Sequence, residues 1–293
     1  AKTAYSPILK VAGDYSCGIF DQSGSMVAQG PDLPIHLGSM PDAVRAVIEK
    51  FKHNAIEGDV FIHNDPYFGG SHLPDVNVVT PAFYQGAILG WTCVRAHWPD
   101  IGSATPGSYG AVTDIYGEGL RMPPIRLYHA GKVDQNVEDL ILANVRTPDE
   151  RLGDLRAQVA ANHRGCRRLA TLAGKYGADA LTRIMQEVMD YSERLMSLHA
   201  DPLSVLQMGC SGTEAIEIAI KMARLATGGK GIICSNATYH GNSHETIRMT
   251  IGPFEPDFKR VPFPEKFRPL KEGLEENELC DLYLEEIKRA IRC

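Results

Sequence analysis

Among the seven cysteines no CxxC pair occurs, no apolar run reaches the roughly 18 residues of a membrane-crossing helix, and no long basic run is present. The first absence speaks against a thiolate zinc site and leaves reduced thiols in a cytoplasmic protein as the simplest reading. The second removes the expectation of a transmembrane helix, and no secretory signal is recognised at the N-terminus. The third, with a net charge of −6, argues against nucleic acid or an anionic membrane as partner. A GxxxxGK[ST] loop is also missing, so any nucleotide is expected on another polypeptide. No internal repeat is found. The chain does not open on Met, and its true start is expected to lie upstream.

What is present suits a folded protein. The 293 residues are 44% apolar and 23% charged, enough to bury one large core or two ordinary ones. Three textures follow one another. Residues 1 to about 145 are rich in Gly and Pro with short apolar runs, which predicts strands and functional loops. A helix is expected within this part, with Pro41 at its first position and Ala43, Val44, Ala46, Val47 and Phe51 as its stripe. From Pro148 to Met196, Leu, Ala, Arg and Gln dominate, predicting two packing helices broken by Gly174 and Gly177. Beyond about Leu198 the pattern suggests a strand over Leu203–Met208, a helix over Thr213–Ala226, a strand over Gly231–Ser235 and a last helix over Leu279–Ile291. The fold class expected is α+β. It comprises a strand-rich N-terminal region (1–197) with a metal-site hairpin and a helical segment, followed by a partial α/β segment (198–293), both incomplete.

The hairpin carries the chemistry. Asp59–His63 reads as a strand feeding the loop from Asn64 to Pro74. Val76–Tyr84 and Ala87–Val94 read as paired strands about a Gln85-Gly86 turn. Antiparallel pairing then brings Asp75 and His97 to one end of the hairpin, and Gly69-Gly70 lets the loop bend His72 toward them. Two imidazoles and a carboxylate suit zinc, manganese or iron and leave positions open for a carbonyl or water. His63, Asp65 and Asp100 could add ligands or orient the histidines. The same Asp, Asn, Pro and Gly residues also suit plain turns, and that alternative stays open. Glu118, between glycines, is a candidate base for proton transfer or a solvated turn residue. His36 and Asn162-His163 are read as structural.

At these motifs a resemblance is specific. Thr3–Pro7, Asp14–Cys17, Pro34–Met40, Gly58–Asp75, Arg95–Ser108 and Gly117–Pro124 resemble the hydantoinase B family, which includes N-methylhydantoinase B, the matching region of 5-oxoprolinase and the acetone carboxylase alpha subunit. The likeness implies a metal-containing subunit working with an ATP-binding, hydantoinase A-like partner on a small carbonyl substrate, as a hetero-oligomer. It implies ring opening of a cyclic amide or, alternatively, carboxylation of a ketone. The two histidines and aspartate that hold a metal in related carboxylases match His72, Asp75 and His97. From the residues themselves, Asp100 remains a further metal-ligand candidate, and Glu118 and Asp65 remain the candidate catalytic groups. Trp98 stands where the family often has a second His, and Ser103 where Gly is common, which bears on substrate choice.

After Met196 a different likeness takes over. Ser211–Ala215, the helix reaching Lys221 and Arg224, and Tyr239-His240-Gly241 resemble a class III aminotransferase. That resemblance implies a pyridoxal phosphate site in which Gly212 and Thr213 meet the phosphate and Tyr239 stacks on the ring. The Schiff-base lysine and ring-nitrogen aspartate of that family would fall beyond residue 293, so a strand–loop–helix without cofactor is the competing reading. A non-catalytic module that docks the partner is the remaining alternative for the whole chain.

Overall fold

The computed structural model describes residues 3–30, 34–105, 112–199, 206, 208–209, 211–236, 238–250 and 257–292. The chain divides into two compact units, Ala1–Ser204 and Val205–Cys293.

The first unit is built on one antiparallel sheet. Its strands are β1 (Tyr15–Phe20), β2 (Met26–Gln29), β3 (Val60–His63), β4 (Asp75–Tyr84), β5 (Ala87–His97), β6 (Ile125–His129) and β7 (Lys132–Val133), in the order β2-β1-β5-β4-β3-β6-β7. Helix α1 (Pro34–Phe51) covers one face: Met40, Val44 and Val47 pack on Phe20, Phe61, Val79, Trp91 and Cys93. After α2 (Gln135–Ala143), the long α3 (Pro148–Tyr176) covers the other face. Its Leu155 and Val159 meet Val60, Ile62, Val76, Val78 and Ala96. Helix α4 (Ala178–Met196) adds Met185 beside Leu169, Ala173, Ala82 and Leu89. Covering on both faces explains why β4 reads as a nearly continuous buried run rather than an alternating one. Two amides of α3 fasten it to the sheet. Gln158 donates to the Val76 and Val94 carbonyls, and Asn162 donates to the Val78 carbonyl at 2.7 Å, a packing role as expected for Asn162.

Within the first unit the helices and strands foreseen are present, with differences that have physical reasons. α1 starts at Pro34, so Pro41 lies inside the helix instead of opening it. The missing proline N–H forfeits one bond, and the packing of the apolar stripe outweighs it. Only Gly177, at φ 90°, separates α3 from α4; Gly174 continues α3. β4 and β5 run further than the apolar pattern indicated, because polar Asp75, Arg95 and His97 complete the ladder.

The second unit holds α5 (Gly212–Thr227), β8 (Ile232–Ser235), α6 (His244–Thr250), β9 (Phe258–Val261) and α7 (Glu276–Arg292), with β8 and β9 paired in parallel. Ile220, Cys234, Met249 and Phe258 form its core. β9 and α6 were not foreseen, since their short apolar content is diluted by charge. The strand expected over residues 203–208 falls almost wholly outside the described residues. Among the described residues no helix is long and apolar enough to cross a membrane, and Cys17, Cys93, Cys166, Cys234 and Cys280 are free thiols.

Candidate metal centre

Asp75 opens β4 and His97 closes β5, and the two are direct cross-strand partners. The hairpin turn is the two-residue Gln85-Gly86, both with positive φ, so the pairing starts with Tyr84 opposite Ala87. A register shift at Ala82/Phe83, with Leu89 as the extra residue, then moves the ladder by one. That bulge is what sets Asp75 opposite His97 instead of Ala96.

The loop bearing His72 is fixed at several points. The Asn64 side chain donates to the Leu73 and Leu120 carbonyls and accepts from the Met122 N–H. Asp65 caps a 3-10 turn at Pro66–Phe68 by accepting from the Tyr67 N–H. Gly69, at φ 80°, lies against the backbone of α1: a Cβ there would stand 2.4 Å from the Asp42 carbonyl carbon. Glycine is required by both the angle and the space.

These constraints bring three side chains together. His72 Nε2 lies 2.8 Å and His97 Nδ1 3.1 Å from the same oxygen, Asp75 Oδ1. The two rings are 5.1 Å apart between centroids. All three ligand atoms lie within 4.8 Å of one another, and among the described residues this is the one such group of His, Cys, Asp or Glu. The other oxygen, Asp75 Oδ2, accepts from Ser71 Oγ at 2.6 Å and lies 3.4 Å from His36 Nε2. The site is open on one side: the His72 side chain is 40% exposed and that of Asp75 4%.

Its electrostatics suit a ligand set. Burial pushes the Asp75 carboxyl up, but hydrogen bonds from His72, His97 and Ser71, with the charge of His36, hold it well below the usual carboxylate range. The hydrogen bond to Asp75 raises His72. Burial lowers His36 despite the nearby Asp75 and Asp14, and burial with Arg95 lowers His63 to about 3. An ionised carboxylate facing two imidazoles is a nitrogen- and oxygen-rich donor set that fits zinc, manganese or iron, with no thiolate to select a softer ion.

The other predicted residues take separate places. Glu118 ends a 3-10 turn at Ile115–Glu118, half-buried, and its charge helps raise His72. The second oxygen of Asp65 is 3.5 Å from Arg121 Nε. Asp100 is held elsewhere: Arg146 donates to it from both backbone and guanidinium, and Gly102 N–H donates as well. In the second unit, Gly212 and Thr213 open α5 behind a Ser211 cap, Thr213 is in close contact with Gly241, and Tyr239 is exposed.

Three contributors were not singled out from sequence. His36, taken as structural, faces the far side of Asp75. Asp14 lies 3.5 Å from His36 Nε2. Arg95, fully buried, donates to Asn77 Oδ1, the His36 carbonyl, Ser39 Oγ and the Gly69 carbonyl. The available signal was the period of two: Arg95 and His97 share a face, as do Asp75 and Asn77.

Known proteins resemble this chain in sequence and fold. A family model described as hydantoinase B/oxoprolinase matches residues 1–245, which reaches past residue 197 into the second unit. The chain is 40% identical over 196 residues to the caprolactamase subunit beta of Pseudomonas jessenii, covering 67% of this chain and 34% of that one. The crystal structure of the ATP-dependent caprolactamase from that organism superposes with a TM-score of 0.60 over 63% of this chain and 32% of the other. A 5-oxoprolinase of Dictyostelium discoideum is 35% identical over 193 residues, or 66% of this chain and 15% of that one. A nucleotide-free acetone carboxylase shares the fold, with a TM-score of 0.63 at 23% identity over 67% of this chain and 26% of that one. The chain therefore spans about a third or less of these relatives' lengths.

Proposed function

As the chain belongs to the hydantoinase B/oxoprolinase family, we propose that it is the metal-bearing part of an ATP-dependent amidohydrolase that opens a cyclic amide. The observation that carries this reading is the convergence of His72 Nε2 and His97 Nδ1 on Asp75 Oδ1. The caprolactamase and 5-oxoprolinase relatives supply the reaction class, both named for cyclic amides. A divalent ion bound by these three side chains supplies Lewis acidity toward a carbonyl oxygen or water. The chain's own groups do the rest. Asp75 stays ionised under its hydrogen bonds, His72 stands at the open side where substrate enters, and Glu118 is the candidate to move a proton there. Asp65 steadies Arg121, and Asp100 braces the segment after His97 through Arg146. ATP is bound by a hydantoinase A-like partner in a hetero-oligomer, a reading supported by the ATP-dependent caprolactamase and its subunit beta.

The test is metal content and turnover together. Purified protein is expected to hold near-stoichiometric zinc, manganese or iron, lost in His97→Ala. The assembled complex is expected to open a lactam or hydantoin only with ATP, and His72→Ala to abolish this. A metal-free wild type after reconstitution sinks the metal assignment. Bicarbonate-dependent conversion of a ketone in place of ring opening moves the chain to the carboxylase branch, and partner capture without any turnover leaves a docking module. For the second unit, the cofactor reading through Gly212, Thr213 and Tyr239 requires an absorption band on adding pyridoxal phosphate; no band removes it.

A further inference from the structure

His36 rides on the part of α1 that precedes Pro41 and is 4% exposed. Its Nε2 sits between two carboxylates, 3.4 Å from Asp75 Oδ2 and 3.5 Å from Asp14 Oδ1. Its Nδ1 is 3.2 Å from Ser16 Oγ on β1. A bare nitrogen lone pair facing two carboxylates would be repelled, so Nε2 carries the hydrogen and Nδ1 accepts from the Ser16 hydroxyl; the tautomer follows from the network. Arg95 donates to the His36 carbonyl at 3.2 Å and so pins the backbone that carries the ring. The two oxygens of Asp75 thus have separate tasks. Oδ2 is engaged by Ser71 and faced by His36, while Oδ1 meets His72 and His97.

We propose that His36, held by Asp14 and Ser16, is a positioning residue that fixes Asp75 through Oδ2, so that Oδ1 alone is presented to a metal at the His72–His97 pair. The proposal rests on the metal reading of this centre. It assigns His36 no contact with the ion or the substrate. Without His36 the Asp75 carboxylate keeps Ser71 as its one partner on Oδ2 and turns more readily about its terminal bond, so that Oδ2 is offered beside Oδ1. Partners that orient a ligand in this way typically matter for metal affinity by about 10- to 100-fold.

Cobalt(II) is a suitable probe, because its visible spectrum reports ligand number and geometry. The whole chain is titrated as wild type, His36→Leu, His36→Gln, Asp14→Asn and His97→Ala. His36→Leu is expected to weaken cobalt binding about 10- to 100-fold and to change the spectrum. His36→Gln, which keeps an N–H donor, should recover most of both. Asp14→Asn alters a partly exposed side chain and is expected to weaken binding several-fold with the fold intact. Wild-type affinity and spectrum in His36→Leu, while His97→Ala loses cobalt, would overturn the proposal and leave the metal reading standing. Should His36→Leu not fold, an unchanged Asp14→Asn overturns it equally. A wild type that takes up no more cobalt than His97→Ala removes the metal reading, and this proposal falls with it.

Discussion

The Arg95 guanidinium has no exposed surface and donates to neutral groups: Asn77 Oδ1 at 2.7 Å, the His36 carbonyl at 3.2 Å, the Gly69 carbonyl at 3.3 Å and Ser39 Oγ. It therefore joins β4, the start of α1 and the glycine loop, the three segments that carry Asp75, His36 and His72. Arg95→Leu takes the donor from buried Asn77 Oδ1 and from the half-buried Gly69 carbonyl, while the His36 carbonyl keeps Ser39 Oγ, at about 1–3 kcal/mol for each group left unpaired. Urea denaturation is expected to show a loss of about 3 kcal/mol or more, and a loss below about 1 kcal/mol would deny the residue this bracing role. His63 gives a second test at the same scale. Its folded pKa is lowered to about 3 from 6.5, so between those values the unfolded chain binds a proton that the folded chain does not. Stability then declines as pH falls from 6.5 toward 3, by about 1.4 kcal/mol per unit from this residue alone. His72, whose pKa is raised, has the opposite sign: its contribution is present below the unfolded value and disappears as pH rises through the folded one. Comparing wild type with His63→Gln cancels the His72 contribution, and the variant should show the shallower acid slope; parallel slopes would mean that His63 protonates freely. The sequence marked His72, Asp75 and His97 because those residue types bind metals. It gave no comparable mark to His36 or Arg95, whose importance comes from burial and from what they face.

The hairpin shows how much of an element can be read in advance. Two strand-like runs and a two-residue Gln-Gly turn were enough to place Asp75 and His97 at one end. The bulge that completes their pairing was not legible, because Leu89 fits an apolar strand equally well with or without an extra residue beside it. The turn itself is testable. Gln85 at φ 51° and Gly86 at φ 83° adopt the two positive angles for which Asn-Gly is the favoured pair. Gln85→Asn is expected to raise stability by about 0.5 kcal/mol and Gly86→Ala to lower it by about 1–2 kcal/mol, read as opposite shifts in melting temperature. Equal effects from the two would mean that the turn does not control the register. The start of α1 was misplaced for a different reason: a proline ordinarily opens a helix. Here Pro41 lies inside one whose earlier residues carry His36 to Asp75, and that requirement arises from tertiary contact, which local pattern does not contain.

On the scale of the whole molecule, the two units have separate cores, and the candidate metal centre lies wholly within Ala1–Ser204. The units divide between Ser204 and Val205, whereas the composition changes near residue 198 and the family match continues to residue 245. Metal binding should accordingly stabilise the first unit and not the second. An ion that binds only the folded state, at 100 times its dissociation constant, adds about 2.7 kcal/mol. For a unit of this size that corresponds to a rise in melting temperature of about 5–10 °C. His72 must release its proton to serve as a ligand, and its raised pKa means that protons compete for it at a higher pH than for an ordinary histidine. The metal-induced rise should therefore be full in mildly alkaline solution and shrink as pH falls, with the decline already under way above pH 6.5, the unperturbed histidine value. Differential scanning calorimetry with and without zinc or manganese, followed by chelation, reads this directly. The rise should vanish on adding chelator and be absent in His97→Ala, while a transition from the second unit stays in place. A shift of equal size in His97→Ala would locate the stabilising ion somewhere other than the pairing of Asp75 with His97.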